Sequence, residues 1–430
     1  MVVDILVLGA TGFTGKLVVQ YLATHRDRTS FTFALGARSQ ERLQRIKNEL
    51  GLGEDIQLVS VDVTNLEDVQ NAVSGCRVVI NTVGPFYKWG RPVVQACARL
   101  GKHYVDLAGE LHYIRDIIHS FDFLASKTHA CIIPAAGFDS IPSDMAAFLA
   151  NKTLKALVGP GAAIEGSTSA VRVSGTLSGG TFATAISSIE DVPPEVRRVS
   201  SQPYSLSIMG APYPGLKLLY TLPGPPSLPP LRGGLWMMAP VNKAVVQRTW
   251  ALHTLAACRD PQNNAHLDYG KTFTYDEFLT LRSRLASLAM GLGLALTGLC
   301  LMITPLRWIF KRIVPSPGTG PSEEVQKKGF LELTNMTSSV PTADAPRRWV
   351  RTTIKGQGDP GYSLTAAMIS EAALALALEH DKLPAMGQEG GVLTPMTALG
   401  DVLVDRFKRS GRFEIESEVI VGGEESRKTR

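Results

Sequence analysis

Gly9-Ala10-Thr11-Gly12-Phe13-Thr14-Gly15 constrains this chain more than any other stretch. It joins an apolar run at 2–8 to an amphipathic segment at 14–24, so it reads as a turn from strand to helix. Gly9 permits the tight turn, Gly12 lets the backbone approach a pyrophosphate, and Gly15 lets the helix lie close to the sheet. The unpaired N–H groups of the helix start then face the phosphates. A glycine pattern alone is a weak signal, and the spacing here is G-x-x-G-x-x-G. Its place at residue 9, between a strand and a helix, makes dinucleotide binding the expected use.

The next hundred or so residues keep this rhythm. Strands are expected at 31–37, 57–61, 78–82, 104–107 and 130–133, with helices at 40–50, 65–74, 91–100 and 111–126 between them. Such alternation implies right-handed crossovers and a doubly wound parallel sheet, a Rossmann domain over 1–145. After Pro142 the pattern changes. Strands at 163–177, 352–356 and 412–421, with helices at 181–188, 363–380 and 397–409, read as α+β. The expected division is a second, substrate or dimerisation domain at 146–390, a closing helix and strand at 391–421, and a flexible tail at 422–430. Nine prolines between 203 and 240 exclude regular structure over most of that span.

One segment of the second domain stands apart. Residues 285–306 are 22 uncharged residues, mostly Leu, Ala, Gly, Met and Ile. At about 1.5 Å per residue, a helix of that length reaches across a bilayer core. Arg282 and Arg284 precede it, and Arg307, Trp308, Lys311 and Arg312 follow it, as interfacial anchors do. Gly291, Gly293, Gly298 and Pro305 weaken the helix, and a span would place the two halves of the second domain on opposite sides of a membrane. Three readings stay open: a helix on a membrane or lipid-droplet surface, a core or homodimer-interface helix, and a true span.

Composition narrows the partners. The 44 Lys and Arg residues are scattered among 39 acids, without the basic stripe that nucleic-acid binding needs. Five cysteines without a C-x-x-C pair speak against a disulfide framework or structural zinc. The eight histidines have no metal spacing, and His112 and His119, seven apart, read as packing residues; no metal is expected. The first apolar run meets glycine too early for a secretion signal, so a cytoplasmic-side location is expected.

Within the dinucleotide reading, the end of the second strand chooses the cofactor. It carries Gly36-Ala37-Arg38-Ser39 where an acid would take the ribose hydroxyls of NAD. The Arg38 guanidinium suits a 2′-phosphate, so NADP(H) is expected. Asp62, ending the third strand, faces the adenine edge or caps a helix. Asn81, Thr82, Val83 and Gly84 follow the fourth strand at the carboxyl edge, where ligands bind in such sheets. Two more polar loops, 106–110 and 136–140, reach the same edge. The candidate proton donors there are Tyr87, Lys88, Asp106, Glu110 and Asp139. Glu110 and Asp139 also suit helix caps, and Lys88 also suits solvent. No Tyr-x-x-x-Lys pair of the short-chain dehydrogenase kind is present among them, since Lys88 directly follows Tyr87.

Taken together, Gly9–Gly15, Arg38, 81–87, Tyr104-Val105-Asp106-Leu107-Ala108-Gly109-Glu110, Gly137-Phe138-Asp139-Ser140-Ile141-Pro142-Ser143-Asp144, and the later 318–324 and 390–395 stretches resemble the saccharopine dehydrogenase-like oxidoreductases, which include the trans-acting enoyl reductases. The resemblance implies a Rossmann domain, an α+β domain into whose cleft the nicotinamide points, a hydrophobic helix in the second half, and membrane or lipid-droplet association in some members. The sparse cations of 151–240, set among glycines, prolines and apolar residues, favour an apolar, lipid- or polyketide-like substrate over an amino acid. The leading expectation is therefore an NADPH-dependent reductase of a C=C or C=N bond. Two others stand beside it: a saccharopine-type imine reductase on amino acids, and a non-catalytic NADP-binding membrane protein.

Overall fold

Short runs of Val, Ile and Leu closed by glycine or polar turns form the six strands expected in the first part of the chain: β1 Val3–Leu8, β2 Phe33–Ala37, β3 Gln57–Ser60, β4 Cys76–Asn81, β5 His103–Asp106 and β6 Cys131–Ile133. The computed structural model describes residues 2–420 apart from 176–178, 213–214, 216, 314–319, 321 and 344–345. The tail expected at 422–430, part of the 318–324 stretch, and the last residues of the strands expected at 163–177 and 412–421 lie outside the described residues.

The later strands are β7 Ile164–Ser174, β8 Tyr220–Thr221, β9 Arg232–Gly234, β10 Tyr275–Thr280, β11 Phe330–Ser339, β12 Trp349–Gln357, β13 Gly391–Val392 and β14 Phe413–Ile420. Among the described residues they complete two seven-stranded sheets. The first is wholly parallel, in the order β13-β6-β5-β4-β1-β2-β3. The order reverses beside β1, which places a ligand crevice at the carboxyl ends of β1 and β4. The second sheet runs β14-β12-β11-β7-β10-β9-β8 and is antiparallel except where β7 meets β10.

Between the sheets lies a layer formed by the helices Ile141–Val158, Thr365–Leu378 and Pro395–Ser410. Thr365–Leu378 packs on β4 and β5 of the first sheet, and Ile141–Val158 packs on β11, β12 and β14 of the second. The boundaries expected at 145 and 390 therefore mark no clean division. A helix from the second half covers the first sheet, and β13 extends that sheet beside β6.

Two central elements had no expected counterpart. β11 alternates apolar and polar residues weakly, yet it pairs along its whole length with β7 and β12. The helix Ala239–Arg259 carries buried polar residues around its circumference, which blurs a 3.6-residue pattern. A third helix starts earlier than its proline suggested. It runs Phe86–Leu100, with Pro92 inside it rather than in the first turn, because the Glu110 carboxylate accepts from the N–H groups of Phe86 (2.7 Å) and Tyr87 (2.9 Å).

Candidate active site

The glycine loop is built for close approach. Gly9 adopts φ +83°, and a Cβ there would lie 2.6 Å from Thr82 Oγ1. A Cβ on Gly15 would fall inside the Gly9 carbonyl oxygen, so Gly15 is needed for the helix to reach the sheet at all. Gly12 differs. Its backbone is extended (φ −79°), and a Cβ would meet only Gly9 O, at 3.2 Å. A side chain at Gly12 is thus nearly tolerated by the fold and would project from the loop at the helix start. The helix Phe13–Ala23 has no acid in its first turn and no side-chain cap, leaving its first N–H groups for an anion. Ala10 is buried, and its N–H, like that of Gly9, donates to Gly36 O, which ties the loop to β2. Phe13 stands edge-on to Tyr362 (5.2 Å), and Gly320 presses so closely on the Phe13 ring that no Cβ fits there. Gly320, within the late 318–324 stretch, thereby reaches the glycine loop, and Thr11 and Thr14 lie in this same turn.

Arg38 is exposed at the end of β2, and Ser39 caps the next helix by accepting from Arg42 N (3.2 Å). The Asp62 carboxylate accepts from Thr64 N (2.9 Å) and Thr64 Oγ1 (2.8 Å), an Asx turn, and lies within the field of Arg38. Those hydrogen bonds hold its carboxyl below the usual range. The helix cap in this region is Asn65, not Asp62. At the end of β4, Asn81 is fully buried; its amide donates to Tyr104 (3.0 Å) and its oxygen accepts from Val83 N (3.0 Å). Thr82 Oγ1 donates to Leu8 O (2.8 Å), and Gly84 follows before the Phe86–Leu100 helix.

The five candidate proton donors separate by what holds them. Asp106 is fully buried and accepts four bonds: Ala108 N (2.9 Å), Ala135 N (3.0 Å), Tyr104 Oη (2.8 Å) and Tyr113 Oη (3.1 Å). Burial pushes it up to about 6 despite those donors, which fix the ends of β5 and β6. Both Glu110 oxygens are occupied by the Phe86–Leu100 helix start, with His112 Nε2 at 3.6 Å. Lys88 is paired with Asp191 (2.7 Å). Tyr87 lies edge-on to His112 (5.0 Å). Asp139 is the exception. It is half-buried, its carboxylate accepts no hydrogen bond from the described residues, and burial pushes it up to about 7. Gly109 makes room for it: a Cβ there would lie 3.3 Å from Asp139 Oδ2 and 4.0 Å from Met238 Cε. Phe138 stands edge-on to Trp236 (6.2 Å), so an apolar wall adjoins the carboxyl.

Behind Asp139 runs a buried polar chain with no counterpart in the sequence reading. Ser140 Oγ reaches Asn242 Oδ1 (3.4 Å), and Asn242 Nδ2 donates to Glu277 Oε1 (2.8 Å). Ser143 Oγ (2.7 Å) and Tyr275 Oη (2.9 Å) donate to Glu277 Oε2, and burial pushes Glu277 up to about 7. Asp144, one turn along the same helix, is also raised to about 7 by burial and accepts from Met396 N (3.0 Å). Only Ser140, Ser143 and Asp144 had a sequence signal, through the 137–144 stretch; Asn242 and Glu277 had none. Among the described residues no cluster of His, Cys, Asp or Glu fits a metal ion.

Residues 5–130 match the family model of the saccharopine dehydrogenase NADP-binding domain. Trans-acting enoyl reductases of Mycobacterium tuberculosis and Mycobacterium bovis are each 34% identical over 429 residues, 95% of this chain and 96% of theirs. That of Mycobacterium ulcerans is 32% identical over 428 residues, with the same coverage. The chain belongs to the saccharopine dehydrogenase-like oxidoreductases. The solved apo saccharopine dehydrogenase (L-Glu forming) of Saccharomyces cerevisiae, 12% identical, has the same fold, with TM-score 0.50 over 97% of this chain and 100% of that one. The protein is an NADP-dependent reductase, and its residues fit the cofactor: a glycine loop with open space in front of Gly12, an uncapped helix start, and an exposed Arg38 with no acid in its place.

Proposed function

We propose that the protein reduces the C=C bond of an apolar, lipid- or polyketide-like enoyl substrate, with Asp139 as the proton donor. When bound, NADPH supplies the hydride. The chain's own residues hold the dinucleotide at Gly9–Gly15 and Arg38, place an apolar wall of Phe138, Trp236 and Met238 beside the reacting bond, and present one protonated carboxyl. With the hydride that bound NADPH would supply to one alkene carbon, Asp139 would give its proton to the other carbon, which carries the electron pair, and the proton consumed would be replaced from the bulk solvent. The observation that carries this reading is the state of Asp139, the unpartnered carboxyl at this edge, raised to about 7 by burial. The names of the mycobacterial relatives support the enoyl choice. A substrate rich in carboxylates would call for convergent cations, and among the described residues no ion pair reaches the Asp139 carboxyl.

The test is NADPH oxidation by the purified protein with long-chain 2-enoyl thioesters, with imines, and with amino acid and keto acid pairs. Asp139→Asn is expected to lower kcat by about 10²- to 10⁴-fold and leave NADPH affinity unchanged. The wild-type rate is expected to fall above pH 7, as the donor loses its proton. Turnover of the amino acid pairs alone transfers the protein to imine chemistry. Arg38→Ala is expected to weaken NADPH about 10- to 150-fold, the worth of a charge-assisted hydrogen bond, and to spare NADH.

A further inference from the structure

The helix Arg284–Met302 is apolar and only 6% of it is buried. Its open leucines, Leu285, Leu288, Leu292, Leu296 and Leu299, recur every three or four residues and form one apolar stripe, and among the described residues nothing lies within 4 Å of a Cβ on Gly293 or Gly298. An apolar stripe flanked by Arg282, Arg284, Arg312 and Trp308 is the pattern of a helix lying in a membrane interface. The following helix, Thr304–Ile313, is turned inside out. Arg307 and Lys311 point inward to Glu190 (3.0 and 2.7 Å), while Trp308, Ile309 and Ile313 face outward, Ile313 at 76% exposure.

Both ends of the long helix are tied to the protein. At its start, Ser287 packs on Gly234, and Gly291 faces Leu235. At its end, Arg307 donates to Leu301 O (2.7 Å) while held by Glu190. A helix tethered at both ends cannot stand across a bilayer, and β11 continues in the same sheet as β7 and β10. A single pass would put β10 and β11, strands of one sheet, on opposite sides of a membrane, so the surface reading is the one taken here. From residue 278 to 322 there is no acid; Arg307 and Lys311 are taken by Glu190, and Arg282, Arg284 and Arg312 stay exposed. That balance suits anionic headgroups. The root of the helix also leads toward the reaction site, from Leu235 to Trp236 and Met238, which adjoin Phe138 and Gly109.

We propose that this helix pair lies in the plane of an anionic bilayer leaflet, inserted from one side only, and that the Leu235–Trp236–Met238 strip takes a membrane-dissolved substrate from it to Asp139. The proposal deepens the enoyl-reductase reading and rests on it for the substrate path alone.

The test uses the full chain and the variant Leu292→Glu/Leu296→Glu/Leu299→Glu. The wild type is expected to float with phosphatidylcholine–phosphatidylglycerol vesicles. The variant is expected to lose at least nine-tenths of that binding and to keep its melting temperature and NADPH affinity. With hexadecenoyl thioester incorporated in the vesicles, variant turnover is expected to drop at least tenfold, with turnover of the water-soluble crotonyl thioester unchanged. Wild-type protein that stays off the vesicles, or forms a dimer that the three glutamates dissociate, overturns the proposal. A variant that floats normally, or loses both substrates equally, overturns it too. Flotation without enoyl turnover of either thioester leaves the membrane site standing and defeats the enoyl reading and the substrate path with it.

Discussion

Two helical segments of this chain pass the same test of length and apolar composition, and the fold treats them oppositely. Pro360–Leu378 is 83% buried and Arg284–Met302 is 6% buried. The first has a run of alanines, Ala366, Ala367, Ala372, Ala373, Ala375 and Ala377, whose small side chains let it pass between the two sheets. At its centre is a charge, Glu371, which the fold satisfies completely: His25 Nε2 (3.0 Å), Tyr21 Oη (2.7 Å) and Arg406 Nε (2.7 Å) surround it. The second has no charge between Arg284 and Arg307, and Leu285, Leu288, Leu292, Leu296 and Leu299 are exposed along it. Apolar composition says that a helix must leave water; side-chain size and the partners of its polar residues say where it goes.

The contrast breaks most severely at the buried ion pair. Arg406→Met leaves the Glu371 carboxylate buried without its cation, and a urea titration is expected to show a loss of about 3–5 kcal/mol. A loss under about 1 kcal/mol would mean that the burial does not depend on that charge. Packing comes next. Ala372→Leu overfills the layer between the sheets and is expected to cost about 1–3 kcal/mol, whereas Ala295→Leu on the exposed helix is expected to leave the melting temperature unchanged. Equal effects would erase the difference between the helices.

Acid sharpens the same comparison. Burial raises the Glu371 carboxyl, but the His25 hydrogen bond, the Arg406 charge and Tyr21 outweigh it and hold the group below its ordinary value. Its folded-state value is thus depressed. The stability it contributes is present above the ordinary glutamate range and is lost as pH falls through the lower folded value. Melting temperature is expected to fall between pH 5 and pH 3, and Glu371→Gln to flatten that fall. The smallest effect belongs to the exposed helix: Gly293→Ala meets nothing within 4 Å and is expected to stabilise it by about 0.5–1 kcal/mol, read from thermal melts on vesicles.

The carboxyl edge shows how far a sequence reading reaches. The loops at 81–84, 106–110 and 136–140 do converge, because strand-helix alternation fixes which loops share an edge. Which acid stands free among them was not legible. Asp106 and Glu110 are consumed by donors from Ala135, Tyr113, Phe86 and Tyr87, whereas the Asp139 carboxylate accepts no hydrogen bond from the described residues. Asn242 and Glu277 carried no local motif; they meet Ser140 and Ser143 over about a hundred residues of sequence.

By itself the sequence determined the glycine loop, the parallel strand-helix alternation of the first sheet and the family. Those properties are local: a glycine's missing Cβ, a short apolar run and an arginine in place of an acid act within a few residues of where they are written. The tertiary structure alone decided how β13 and the Thr365–Leu378 helix return to the first sheet, which carboxyl of the edge accepts no hydrogen bond from the described residues, and which apolar helix is left uncovered. Each of these depends on partners brought together across the chain, and a hydrogen bond or a packed face exists only once both sides are in place.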